Sequence, residues 1–155
     1  MTAAEKKEYK ESLKKQCILI IQARVKTANE AMIRAQEAAN SEDKSSMGDK
    51  YETSRALGHI ERDMNAKQVK EALAELKSLE ILNVENLYSN IVPGSWIDLG
   101  TDKIFIACGL GIIKFRDEEI TIISGQSPLF NQIKGKQCGD EIIFKSEPKI
   151  IKEIF

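Results

Sequence analysis

The chain has 155 residues, 42% hydrophobic and 30% charged, with a formal net charge of −1. That length holds one ordinary domain or two small ones, and the apolar share is enough for a core, which excludes a wholly disordered chain. No run approaches eighteen apolar residues, and no signal-peptide core follows the charged start, so a cytoplasmic location without a membrane partner is expected.

Residues 1–90 contain no proline and only two glycines, Gly48 and Gly58, whereas residues 91–155 contain all three prolines and seven glycines. Such a break predicts an α+β chain: an N-terminal antiparallel coiled-coil hairpin followed by a small antiparallel-β domain. The expected boundaries are 1–82 for the hairpin, with an acidic tip near 41–52, 83–92 for a linker, and 93–155 for the second domain.

The first helix is predicted from near Glu5 to near Asn40, roughly 50 Å at 1.5 Å per residue. Its apolar stripe is Tyr9, Leu13, Cys17, Ile21, Val25, Ala28, Met32, Ala35 and Ala39, at steps of three or four. The second helix is expected from near Asp49 or Lys50 to near Leu82. Its stripe reads Leu57, Ile60, Met64, Val69, Leu73, Leu76, Leu79 and Leu82, with one five-residue slip after Met64. Two such helices joined by a short polar segment fold back on each other. Ala35, Ala39 and Ala56 predict a slender distal end.

Pro93-Gly94 signals a turn. Strands are expected at Ser95–Leu99, Lys103–Cys108, Gly111–Phe115, Glu119–Ser124, Glu141–Phe144 and Ile150–Phe155, with a helical turn at Phe130–Ile133. Gly109-Leu110-Gly111 reads as a hairpin turn, too short for a phosphate loop. Trp96, Phe105, Phe115, Phe130 and Phe144 are candidates for the core or a docking surface.

Cys17, Cys108 and Cys138 lie far apart with no CxxC pair, which argues against a disulfide framework or a zinc site and predicts free thiols. His59 is the single histidine, with no nucleophile suggested beside it. Basic residues along the hairpin, Arg24, Arg34 and Arg62 among them, offer phosphate contacts or a solvated face. Residues 1–90 carry fifteen Lys/Arg against fifteen Asp/Glu, so autonomous binding to DNA or RNA is not expected.

The predicted tip, Ser41 to Glu52, carries Glu42, Asp43, Asp49 and Glu52. Asp49 and Glu52 are spaced i, i+3 and share one side of a helix start. Such a pair suits Mg2+, which takes oxygen ligands and often only one or two from a given protein. The same pair also fits an N-cap followed by an N3 acid. Both readings stand on these residues alone.

Gly48-Asp49-Lys50-Tyr51-Glu52 resembles the Gly-Asp-x-x-Glu tip of the Gre-family transcript-cleavage factors of bacteria. Ser127-Pro128-Leu129, Ile133-Lys134-Gly135-Lys136 and Gly139-Asp140 are similar to the Ser-Pro…(I/L)-x-Gly-Lys-x-x-Gly-Asp segment of that family's C-terminal domain. The resemblance implies an FKBP-like second domain, without implying prolyl isomerase activity. It implies an elongation factor whose hairpin enters the secondary channel of RNA polymerase and promotes cleavage of backtracked RNA by the polymerase's own centre. Asp49 and Glu52 would then be the working acids on a Mg2+ shared with the polymerase, Glu52 positioning the attacking water. Lys44, Lys50, Tyr51 and Arg55 would be the partner- or RNA-facing residues, with the RNA 3′ end met only inside the polymerase complex. The chain would be an accessory factor and no enzyme itself, and would bind no cofactor alone. A non-cleaving secondary-channel regulator and a coiled-coil interaction module with no metal role are the alternatives.

Overall fold

The structure, a computed structural model, describes residues 1–42 and 48–155, and only the backbone of 41, 42, 48–51 and 54. The order of elements is α1 (Ala3–Glu42), α2 (Gly48–Glu80), β1 (Trp96–Asp98), β2 (Lys103–Ala107), β3 (Gly111–Phe115), β4 (Glu118–Ser124), α3 (Pro128–Ile133), β5 (Glu141–Phe144), β6 (Glu147–Ile150) and β7 (Glu153–Ile154). No described helix is long and apolar enough to cross a membrane. Packing divides the chain into two units, Leu19–Lys77 and Met1–Ile18 with Ser78–Phe155.

Leu19–Lys77 consists of α1 and α2 packed together as a helical hairpin. The α1 stripe faces inward as its spacing predicts: Ile21, Ala35 and Ala39 are buried, and Val25, Ala28 and Met32 half-buried. The α2 stripe holds at Val69, Leu76, Leu79 and Leu82, which are half-buried or buried, and differs from expectation at four other positions. Leu57, Ile60, Met64 and Leu73 are 48–61% exposed. The half-buried side of α2 in this unit is instead Gly58, Arg62, Asn65, Val69, Ala72 and Leu76, an unbroken alternation of four- and three-residue steps.

The reason is close approach. A Cβ added at Gly58 would meet the Cβ of Ala39 at 3.1 Å, so two small residues set the helix separation there. A leucine at that point of contact does not fit, and at 100° per residue Leu57, Ile60 and Met64 are turned onto a different flank. The small partner of Ala39 is therefore Gly58, and Ala56 is exposed. Arg62 lies on this half-buried side and donates from Nη1 to Gln36 Oε1 at 3.0 Å, while Nη2 meets Asp63 Oδ1 at 3.0 Å.

The other unit is built on a five-stranded sheet, order β3-β4-β2-β1-β7, with a separate β5-β6 ribbon. The expected all-antiparallel sheet is corrected to a mixed one, because β2 and β4 pair in parallel, Ile104 opposite Thr121 through Ala107 opposite Ser124. The strand between them, β3, is placed outside as the antiparallel partner of β4. Gly109-Leu110-Gly111 therefore leads out to the sheet edge and is no β2–β3 hairpin turn. The true hairpin turns are Arg116-Asp117 and Lys145-Ser146, all four residues at positive φ, as two-residue turns of matching twist require. The second turn starts β6, so Ile150 ends that strand and β7 is a separate piece.

β2 is buried on both faces. Ile104 and Ile106 join Ile97, Phe130, Ile142 and Phe144 in one core cluster, roofed by α3 and the ribbon. Phe105 alternates to the opposite side and is fully buried there. The first turns of α1 pack in this unit, with the Tyr9 ring edge-on to Trp96 at 5.9 Å and to Phe115 at 5.3 Å. Trp96 in turn stacks on Phe155 at 4.5 Å. The aromatic residues thus divide between two faces of one sheet.

Two lysines of α1 fasten the connection from α2 to β1. Lys14 Nζ donates to Glu80 O at 2.9 Å and Leu82 O at 2.8 Å, satisfying carbonyls left over where α2 ends. Lys10 is completely buried, and its Nζ donates to Asn86 O at 2.6 Å and Gly94 O at 3.0 Å, 4.8 Å from the centre of the Tyr88 ring. Burial, and then the charge of Lys7, pull the Lys10 amine down to about 8. The two carbonyls and the ring face favour the ammonium and act in the opposite direction.

Candidate functional site

α2 opens at Gly48, so positions 49–52 occupy its first turns. Around an ideal helix, positions 49 and 52 stand about 60° apart and about 4.5 Å apart along the axis. That start is compatible with both an anion-favouring helix terminus and a pair of ligand positions. Glu52 and Arg55 are exposed. Asp49, Lys50 and Tyr51 are placed by backbone only, and Lys44 lies outside the described residues, as does Asp43. Among the described residues no three of His, Cys, Asp or Glu gather as a metal-binding group. An oxygen-preferring ion that accepts one or two protein ligands fits an i, i+3 carboxylate pair completed by another molecule.

The charges along the hairpin are largely exposed, as a solvated coiled-coil surface requires. Lys67 and Glu71 pair at 3.8 Å across one helical turn, both side chains more than 60% exposed. Such a pair contributes little in water. Arg62 is half-buried, and its guanidinium is engaged with Gln36 and Asp63.

Several residues of the second motif have conformational roles. Ser127 caps α3, its Oγ accepting from Phe130 N at 3.1 Å, and Pro128 follows in the first helical turn. Gly135 has φ +79 and donates its N–H to Ile91 O at 2.8 Å, while Lys136 O accepts from Ile91 N at 2.9 Å. Gly139 has φ +93 and donates to Ile151 O at 2.8 Å. Asp140 Oδ2 accepts from Gln137 N at 2.8 Å, closing the turn between them. These residues cap a helix, turn the chain twice where glycine is favoured, and tie the end of the linker to the β domain.

One group escaped the sequence reading. Lys10 carries no signal, since a lysine near the start of a charged helix reads as solvated. Cys17 and Cys108, distant in sequence, are both buried free thiols. The Cys108 thiol lowers the pKa of Cys17, against the opposing effect of burial. Compared with family models, with curated proteins and with solved structures, the chain matches none.

Proposed function

We propose that this chain is a Gre-like elongation factor that inserts its α1–α2 hairpin into the secondary channel of RNA polymerase and promotes cleavage of backtracked RNA. The observation that carries this reading is the start of α2 on Gly48-Asp49-Lys50-Tyr51-Glu52, directly after the junction between two paired long helices. The chain is an accessory to the polymerase's hydrolytic centre, and its β domain, in this reading FKBP-like, docks at the channel rim.

Mg2+ in the polymerase centre supplies Lewis-acid charge for phosphodiester hydrolysis. Asp49 offers that ion an oxygen ligand, and Glu52, one helical turn on, orients the attacking water. Lys44, Lys50, Tyr51 and Arg55 face the RNA 3′ end or the channel wall.

A second reading rests on the residues after Glu52. The cleavage factors continue Asn-x-Glu-Tyr, and this chain has Thr53, Arg55 and Ala56. A cation where the family carries an acid favours a regulator that occupies the channel without inducing cleavage.

The test is a transcript-cleavage assay on a backtracked elongation complex with Mg2+. The cleavage reading predicts shortened RNA, lost with Asp49→Asn while competition for the channel is retained. Competition without shortening establishes the regulator. Neither shortening nor competition refutes both and leaves a coiled-coil interaction module.

A further inference from the structure

The end of α2 leaves one large apolar side chain outside. Leu79 is fully buried, and Ile81, two residues on, is 78% exposed, the highest value of any large hydrophobic among the described residues. Hydrogen bonds fix the chain in this course. Lys14 Nζ holds the carbonyls of Glu80 and Leu82. Asn83 Oδ1 then accepts from Glu85 N at 3.0 Å and from Asn86 N at 3.3 Å, a side-chain turn that leads the linker away. Between this turn and α1 lies a groove of about 480 Å³, where Ile18, Leu82 and Val84 line the space beside Ile81. All of it belongs to one unit, Met1–Ile18 with Ser78–Phe155. The two walls carry opposite charges: Lys14 and Lys15 stand on α1, Glu80 and Glu85 on the α2 end and the linker. Lys15 meets Glu11 of its own helix at 3.0 Å, but both side chains are at least 60% exposed, so that pair is weak and exchanges readily.

We propose that this groove is the contact surface between two copies of the chain, related by a two-fold axis beside Ile81. A two-fold contact sets one patch against itself, so the patch must carry both halves of every complementary pair. Here an exposed apolar knob stands beside an apolar groove, and amines on one wall stand across from carboxylates on the other. Rotation by half a turn brings the Lys15 wall of each copy onto the Glu80 and Glu85 wall of the other. It also seats each Ile81 against Ile18 and Leu82 of the second copy. A groove of one sign would repel its own copy and call for an oppositely charged partner; facing walls of both signs favour self-association. A patch this small gives a weak dimer that forms only as concentration rises. The groove contains no residue of 41–52, so self-association is independent of insertion into a polymerase.

The experiment is sedimentation equilibrium of the full chain under reducing conditions, at concentrations up to about 1 mM, the range in which small contacts become populated. The expected result is a mass that climbs from one chain toward two. Ile81→Glu weakens association at least about tenfold, and its thermal unfolding at low concentration matches the wild type, as the exposure of Ile81 requires. Lys15→Glu and Glu85→Lys each weaken association about tenfold, because every contact occurs twice about the axis, and the double variant returns to within about threefold of the wild type. A one-chain mass at every concentration overturns the proposal. So does a dimer indifferent to Ile81→Glu, or a double variant that associates no better than either single one.

Discussion

Replacing Lys10 by Met tests how the linker is held on the β domain. The side chain keeps its length and loses its amine, so Asn86 O and Gly94 O lose their donor. Stranding two carbonyls of this kind costs about 1–3 kcal/mol each, and the removal of a buried charge offsets part of that. The pH dependence isolates the amine. Its pKa is about 8 when folded and 10.5 as the reference for the unfolded chain. Between those values the unfolded state binds more protons than the folded state, so raising the pH stabilises the fold. The full gap corresponds to about 3 kcal/mol, an upper bound because the carbonyls and Tyr88 favour the ammonium. Urea unfolding of both proteins from pH 7 to pH 11 reads the difference. The advantage of the wild type over Lys10→Met grows between pH 8 and pH 10.5 and is level outside that window. A difference that stays flat, or shrinks with rising pH, refutes a folded-state pKa of Lys10 lowered by burial.

Gly58→Val forces a branched side chain against Ala39 and lowers the stability of the helical hairpin by about 1–3 kcal/mol, measured by thermal unfolding followed at 222 nm. Leu79→Ala, at a fully buried position, costs about 2–5 kcal/mol in the same measurement. Ile60→Gln, at a position 55% exposed, changes stability by no more than about 0.5 kcal/mol, and a large loss there would mean that α2 is turned the other way. Ser127→Ala removes the α3 cap and costs about 1 kcal/mol in urea unfolding, whereas Ser127→Asp keeps most of it.

The stripe of α1 was legible because its steps of three and four never break from Tyr9 to Ala39. The first part of the α2 stripe was misread, because a leucine, an isoleucine and a methionine outweigh a glycine on any hydrophobicity count, whereas Val69, Leu76 and Leu79 were read correctly. The packing follows the glycine, since helix separation at Ala39 is decided by what fits and not by what is most apolar. Strand positions were largely readable from alternation. The parallel pairing of β2 with β4 was not, because neighbouring strands in sequence read as hairpins and nothing local reports that β3 is bypassed. Lys145-Ser146 hid the β5–β6 turn, since neither residue belongs to the usual Asn-Gly type. At the candidate site, the start of α2 was legible to within two residues of Gly48.

The most direct measurement of the proposed insertion is positional. Fe2+ is exchanged for Mg2+ in the active centre of RNA polymerase, the end-labelled chain is bound, and a reductant generates hydroxyl radicals at the metal. The account predicts backbone cuts confined to residues 41–52, where α1 gives way to α2, and their loss when a known secondary-channel factor is added in excess. Cuts in the β domain, cuts spread along the whole chain, or none at all would contradict it.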